Sequence, residues 1–497
     1  MKKLIFLVIV LVTATSCSDF LKEDPRGQFM EDSYFKTVDD IERFMPSFGY
    51  YITDFYYDGC SFNMQLRGDD MTGVHSGSVQ LERFAQPADE QYLSKHWEEA
   101  YTTIKLANSF LQNVDKISTS TPKEATRLQH LTGVAYFFRA WGYFQVAKYY
   151  KQGPIVETVG GNYDIKSSSQ AKLFDYCVEN MILAEEMLPD NWNGHRMEKE
   201  APFKLSAKAA LAEMYLFMAG YPLKKDGYYA KAAEKAKEVI NGAASQGRGF
   251  DTYDNMWNEN DPETNVNKER LLCFYYCPDN QQQSITRCFY PAAYGAYGWI
   301  AAERTFFREF PDGPRKTSTF WDYIETADGN VPWDDPSLAV PAPIYRKRSV
   351  NPEDVGKPKY TLKGGKRSSL IMPLRYTLTA LTYAEAIARS TGNPDALAYQ
   401  LMDFIRDRAE LPHYERSLSG DNFARLVVQE RAWELAAEWT RWNDLCRLEM
   451  VEEVFQKRAA DEFNSSSGFG TPAKDNYFLP VPADEMALNP NLAQVED

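Results

Sequence analysis

The chain has 497 residues, a formal net charge of −15 and a mean hydropathy of −0.49. That length gives one large or two ordinary domains with ample core, and so acidic a surface repels phosphate backbones, which excludes nucleic acid as the expected partner. Aromatic residues make up 14% of so polar a chain, so many rings are expected near the surface rather than in a core.

The first residues, MKKLIFLVIVLVTATSC, combine a basic start at Lys2 and Lys3 with an apolar run from Leu4 to Val12. The run is too short to span a bilayer, which takes roughly 20 apolar residues, and it reads as an export signal over 1–16. Small or neutral residues Ala14-Thr15-Ser16 directly before Cys17 read as a lipobox. Cys17 is therefore expected to be acylated and to anchor the chain to a membrane, with 17–35 as a tether. No later segment is apolar enough to cross.

A helical pattern begins in earnest near Tyr92, where Trp97, Tyr101, Ile104, Asn108 and Leu111 form one stripe. A long helix is predicted from Glu124 to about Tyr150, ended by Gly153-Pro154, with Leu128, Leu131, Ala135, Phe138 and Gly142 on one side. Further helices are predicted over 171–188, 204–219 and 228–240. The stretches LSAKAALAEMYLFMAG…YYAKAAEKAKEVI and LTALTYAEAIARSTGNPDALAYQLMDFIRDRA pair small-residue helices across a turn, in the manner of degenerate tetratricopeptide units. A last helical block is predicted from Asp421 to about Phe455. Between 243 and 370 no helix-length period survives, and Gly, Pro, Asn and Asp interrupt short aromatic stretches. This region is expected to form ordered loops and short strands on the helical scaffold. The chain then divides into a helical part over 36–242, a loop-rich aromatic part over 243–370 and a second helical part over 371–497. The expected fold class is mostly α, a tetratricopeptide-like scaffold with an irregular ligand-binding face.

Several segments in this order resemble the SusD/RagB family of outer-membrane nutrient-binding lipoproteins. They are CSDFLKEDP at the start, WEEAYTTIKLANSFLQNVD from Trp97, LTGVAYFFRAWGYFQVAKYYKQGPIV from Leu131, VQERAWELAAEWTRWNDLCRLEM and the closing FLPVPADEMALNPNLAQ. The chain departs from the family pattern at Ala437-Glu438-Trp439-Thr440, where a glycine often precedes the arginine. The resemblance implies a lipid-anchored binder at the cell exterior that caps a SusC-like TonB-dependent outer-membrane transporter and passes it an oligosaccharide. RagB-type relatives handle peptide, so the resemblance leaves peptide open as the ligand.

The candidate binding stretch is FYPAAYGAYGW, residues 289–299, where Tyr294, Tyr297 and Trp299 stand among glycines. Sugar rings present C–H faces that stack on aromatic rings, and Tyr and Trp add a polar handle. Trp321 and Trp333 lie in neighbouring loop sequence as further candidates, whereas Trp257 is expected to be buried. In LRGDDM, Arg67, Asp69 and Asp70 offer groups that can each take two hydrogen bonds from adjacent sugar hydroxyls.

Catalysis finds little support. Glu430, Glu434 and Glu438 recur at helical spacing, and paired carboxylates do acid–base work in glycosidases. Beside Arg431, Arg441, Asp444 and Arg447, they read first as an ion-pair network that locks the last helices. An α-helical glycan-degrading enzyme is the remaining alternative class. The five histidines form no HExxH, GVHSG lacks a central serine, and Cys273-x3-Cys277 has no second pair. No metal and no cofactor is expected.

Overall fold

The computed structural model describes residues 35–57, 64–74, 76–85, 87–89, 91–160, 164–195, 197–198, 200–257, 267–276, 286–348, 358, 369–458, 460–462, 464 and 470–497. Cys17 with its leader and tether, His75, Cys277 and most of 349–368 lie outside the described residues.

Helices arrive earlier than the sequence pattern predicts. Helix α1 (Val38–Phe44) opens on a reciprocal cap, in which Thr37 Oγ1 accepts from the Asp40 amide at 3.2 Å and Asp40 Oδ2 accepts from the Thr37 amide at 3.0 Å. Pro46 then starts α2 (Pro46–Tyr57), and α3 (Ser76–Glu82) follows β1 (Met71–Gly73). A proline at the first helical position needs no amide partner, so Pro46 begins a helix where a breaker reads as ending one.

The scaffold proper is α4 (Gln91–Leu111), α5 (Pro122–Tyr149), α6 (Gln170–Met187), α7 (Lys204–Ala219) and α8 (Tyr228–Ala243). Each packs on the next. The order follows from small residues at the crossings. A Cβ at Gly142 would lie 2.8 Å from Ile104 and 3.0 Å from the Ala100 carbonyl, so α4 and α5 approach backbone to side chain there. Buried Ala207, Ala209, Ala210 and Ala212 let α7 lie equally close to its neighbours.

Helix α8 then packs on α13 (Tyr376–Thr391), although more than a hundred residues separate them in sequence. Helices α14 (Ala396–Arg408) and α15 (Gly420–Glu434) pack on α13 in turn. The stack of helix pairs therefore continues across an insertion. That insertion leaves along β4 (Arg270–Tyr276) and returns along β10 (Ser369–Arg375), and the two strands pair antiparallel with Ile371 opposite Phe274 and Arg375 opposite Arg270. Between them lie short helices α10 (Thr286–Phe289), α11 (Arg304–Glu309) and α12 (Pro314–Thr319), with α9 (Tyr253–Trp257) just before the neck. The strands of the insertion are short. β5 (Ile300–Ala302) pairs with β1, β6 (Phe320–Trp321) with β9 (Ile344–Tyr345), and β7 (Tyr323–Thr326) with β8 (Gly329–Pro332).

The C-terminal block differs from the single long helix pattern over 421–455. It breaks into α15, α16 (Arg441–Arg447) and α17 (Val451–Gln456), because Ala437 and Trp439 take left-handed φ values of 58° and 62°. Side chains rarely adopt that region. It falls where the family resemblance expects a glycine. The tail forms α18 (Ala483–Leu488) and β11 (Val495–Glu496), which pairs parallel with β3 (Ser167–Ser169), itself antiparallel to β2 (Gln152–Gly153). One apolar core runs from Phe35 to Leu492 and joins both helical parts. The protein is mostly α-helical with few strands.

Candidate functional site

The aromatic stretch 289–299 is turned on itself. Ala292–Tyr294 makes a short 3-10 turn, and Gly295 and Gly298 take positive φ of 77° and 57°. A Cβ at Gly298 would lie 3.0 Å from the Ala292 amide nitrogen, so only glycine fits the turn without a shift. The consequence is a division of the rings. Tyr290 and Tyr294 point inward and form a small core with Trp321, Ile324 and Ile344. Tyr297 and Trp299 stay outside that cluster, half-exposed and stacked on each other with centroids 4.4 Å apart and planes 10° from parallel, and Trp299 also packs against the main core. Trp299 is fixed at its backbone, where its carbonyl accepts from the Val74 amide at 2.7 Å beside the β1–β5 pair.

Tyr294 and Trp321 are therefore corrected as ligand-facing candidates. The Tyr294 ring is 2% exposed, its hydroxyl accepts from the Glu325 amide at 2.7 Å, and burial pushes that hydroxyl up to about 12. Trp321 lies edge-on to Tyr290 at 5.7 Å in the same interior cluster. Trp333 is half-exposed but belongs to another neighbourhood, with Phe307 against its edge and the Arg304 and Arg308 guanidiniums 5.9 and 5.7 Å from its ring. Trp257 is buried, in a small cluster with Tyr253 and Met256.

The polar candidates in LRGDDM form an internal seam between the two ends of the chain. Arg67 lies 4.2 Å over the Trp442 ring and donates to the Asn476 carbonyl at 3.0 Å; burial pulls its guanidinium down to about 10. Asp69 takes a bidentate pair from Arg441 at 2.5 and 2.6 Å. Asp70 is 1% exposed and accepts from the Ala437 amide at 3.2 Å. Burial and the neighbouring Asp69 charge push the Asp70 carboxyl up to about 7, against the pull of that amide and of Arg441. Arg67 and Asp70 are thus corrected from binding residues to interior ones, and Asp69 is held from beneath. Arg441 and Trp442, which receive these groups, belong to the same block whose charges need partners.

That block is an interior ionic network. Glu430 accepts from Arg315 at 2.5 Å, Arg406 at 2.7 Å and the Tyr414 hydroxyl at 2.8 Å. Glu434 meets Arg375 at 3.1 Å and Arg408 at 2.8 Å, and Glu438 meets Arg375 at 2.8 Å and Lys347 at 2.7 Å. Arg375 also reaches Glu269 at 2.7 Å. A second set joins Arg447 to Glu385 and Asp444, with Arg431 on Asp444. Burial works to raise the Glu434 carboxyl, but Arg408, Arg375 and Arg315 outweigh it and hold it down at about 2. A general acid for glycoside cleavage needs the opposite shift and an open face. Glu434 is shifted the wrong way, and Glu430, Glu434 and Glu438 are all buried. Among the described residues no group of His, Cys, Asp and Glu could hold a metal ion, and Cys177, Cys273, Cys288 and Cys446 are buried.

Two family models match the chain. The one described as the SusD family takes in residues 342–496, and the one described as starch-binding, associating with outer membrane, takes in 20–216. SusD-like protein P2 of Formosa agariphila is 25% identical over 524 residues, covering 98% of both chains. The crystal structure of a SusD homolog from Bacteroides thetaiotaomicron superposes with a TM-score of 0.78 at 18% identity, covering 93% of this chain and 97% of that one. A laminarin-binding SusD-like protein superposes with a TM-score of 0.73 at 20% identity, covering 93% and 99%. The helical stack, its insertion and these matches together define a SusD-type fold. This chain belongs to the SusD-like family.

Proposed function

We propose that this chain binds oligosaccharide at the outer face of the outer membrane, anchored through an acylated Cys17, and delivers it uncleaved to a SusC-like TonB-dependent transporter. The observation that carries the binding half is the Tyr297–Trp299 pair. Two half-exposed aromatic planes lie parallel on a glycine-bounded loop of the insertion, with Trp299 backed by the main core. Such a pair offers a flat, preset surface to the C–H face of a sugar, with little side-chain freedom left to lose. The family description as starch-binding and the laminarin-binding relative of the same fold support glycan over other ligand classes. No described helix is long and apolar enough to cross a membrane, so inward movement of the ligand falls to a separate channel. The lipid anchor and the transporter rest on the leader sequence and on the family.

A binding screen of glycans and peptides on the chain from residue 18 onward tests the reading. Micromolar to millimolar binding of an oligosaccharide, weakened about tenfold in Trp299→Ala and without release of reducing sugar, is expected. Binding of peptides alone would favour the RagB-like alternative, and sugar release by the purified chain would favour an enzyme. Mass spectrometry of the mature N-terminus should show an acylated Cys17, and an unmodified thiol there would remove the anchor.

A further inference from the structure

A second concave site lies on the helical scaffold and shares no lining residue with the Tyr297–Trp299 face. It is a cleft of about 700 Å3 between α4, the loop after β2 and the tail around α18, within the roughly 300–1,000 Å3 range of ligand sites. Tyr101, Ile104, Pro154, Val156 and Leu492 give it an apolar floor. Both walls are tied down. The Tyr101 hydroxyl donates to the Pro154 carbonyl at 2.9 Å and Asn108 to the Val156 carbonyl at 2.7 Å. On the other side Gln152 donates to the Leu492 carbonyl at 2.6 Å and Asn489 to the Ile165 carbonyl at 2.8 Å.

Its mouth is charged unevenly. Glu98 and Glu485 line one end, and among the described residues neither has an ion-pair partner. Burial first, then the neighbouring charges of Glu98 and Asp484, push the Glu485 carboxyl up. Lys105 follows Glu98 two helical turns on, about 10 Å along α4. On the rim, Leu488 is 83% exposed, an apolar side chain without cover. The lining residues of α4 run from Trp97 to Asn108, a floor about 16 Å long. Extended chain rises about 3.3 Å per residue, so the floor matches about five residues of peptide.

We propose that this cleft docks an extended peptide segment of a partner protein, with a lysine or arginine set between Glu98 and Glu485 and apolar residues over Ile104 and Leu488. The length of the floor favours peptide over a compact amine, and the unpaired carboxylates fix the sign of the charge.

The test uses the capped pentapeptide Leu-Lys-Leu-Lys-Leu, its Leu-Glu-Leu-Glu-Leu counterpart and pentylamine, titrated onto the intact chain by calorimetry. The lysine peptide should bind at least tenfold tighter than the glutamate peptide and weaken with salt. It should lose about tenfold in Glu98→Gln/Glu485→Gln and bind undiminished in Trp299→Ala. A bulky Thr102→Trp, placed on the half-exposed face of α4, should block it while leaving the melting temperature unchanged. Equal binding of both peptides, no binding, or full affinity in the double glutamine variant would overturn the proposal. So would pentylamine binding as tightly as the peptide, or displacement by any oligosaccharide bound at Trp299.

Discussion

The charged block at 430–447 and the aromatic stretch at 289–299 are each dense in the residue types that binding sites use, yet they resolve differently. Every carboxylate named in the first is consumed by interior cations, and its helices are locked as a result. The second divides, with Tyr290 and Tyr294 closing a small core and Tyr297 and Trp299 left half-exposed. The difference lies in the partners available. A buried ionised carboxylate without a cation is costly, so a charged block in the interior recruits its complement from elsewhere, as Glu430 recruits Arg315 and Arg406. A ring is content either way, and only the turn geometry at Gly295 and Gly298 decides which side it faces.

The comparison breaks hardest at Arg375, which serves Glu269, Glu434 and Glu438 at once. Arg375→Ala should cost about 3–5 kcal/mol, the usual penalty for leaving a buried charge unpaired, and denaturant unfolding would measure it. A midpoint close to that of the parent would mean the network contributes nothing.

Acid should dismantle the same block. The Glu434 and Glu385 carboxyls sit at about 2 in the folded chain, below their ordinary value of 4.5, despite the upward push of burial. Their contribution is complete above pH 4.5 and is lost as the pH falls through about 2. Each is worth about 3 kcal/mol by linkage. A melting temperature that stays flat between pH 4.5 and 2 would contradict this, and Glu385→Gln should flatten part of the slope even though it lowers the whole curve.

Tyr294→Ala should destabilise the protein by about 3 kcal/mol, as truncation of a core ring does. Loss of glycan binding with an unchanged melting temperature would return Tyr294 to the ligand face. The smallest effect sharpens the other half of the stretch. Trp299→Ala should weaken oligosaccharide binding about tenfold, on the order of 1.4 kcal/mol, while the melting temperature moves by no more than a few degrees.

The scaffold helices were legible because their burial has a period. Trp97, Ile104 and Asn108 are buried, Tyr101 partly so, as the stripe requires, and α4 through α8 fall within a few residues of their predicted spans. Helix α1 carried a readable signal in Thr37-x-x-Asp40 that its few apolar residues obscured. The break after Glu434 had none, since no glycine or proline marks Ala437 and Trp439. In the candidate site, stacking residues were legible by type and loop context. Orientation was not, because Tyr294 and Tyr297 differ only in what lies three residues away across a glycine turn. Arg67 and Asp70 misled for a related reason. A polar loop ahead of a helix looks solvated until the distant Ala437 and Trp442 that receive it are known.

The pairing of β4 with β10 has a bearing on how such a protein could change its ligand. Because α8 rests directly on α13, the helical stack runs on past the chain between the two strands, which it meets chiefly through Arg315, Lys347 and a set of core rings. That excursion starts and finishes at adjacent points, so lengthening it costs little, with each doubling of a flexible loop worth about 0.6 kcal/mol. Rings and turns beyond the neck can be exchanged at little cost to the helices, provided that Arg315, Lys347 and the rings packed into the shared core are kept. In that sense the two strands act as a socket. Selection can refit the instrument held there, over and over, and leave the handle as it was.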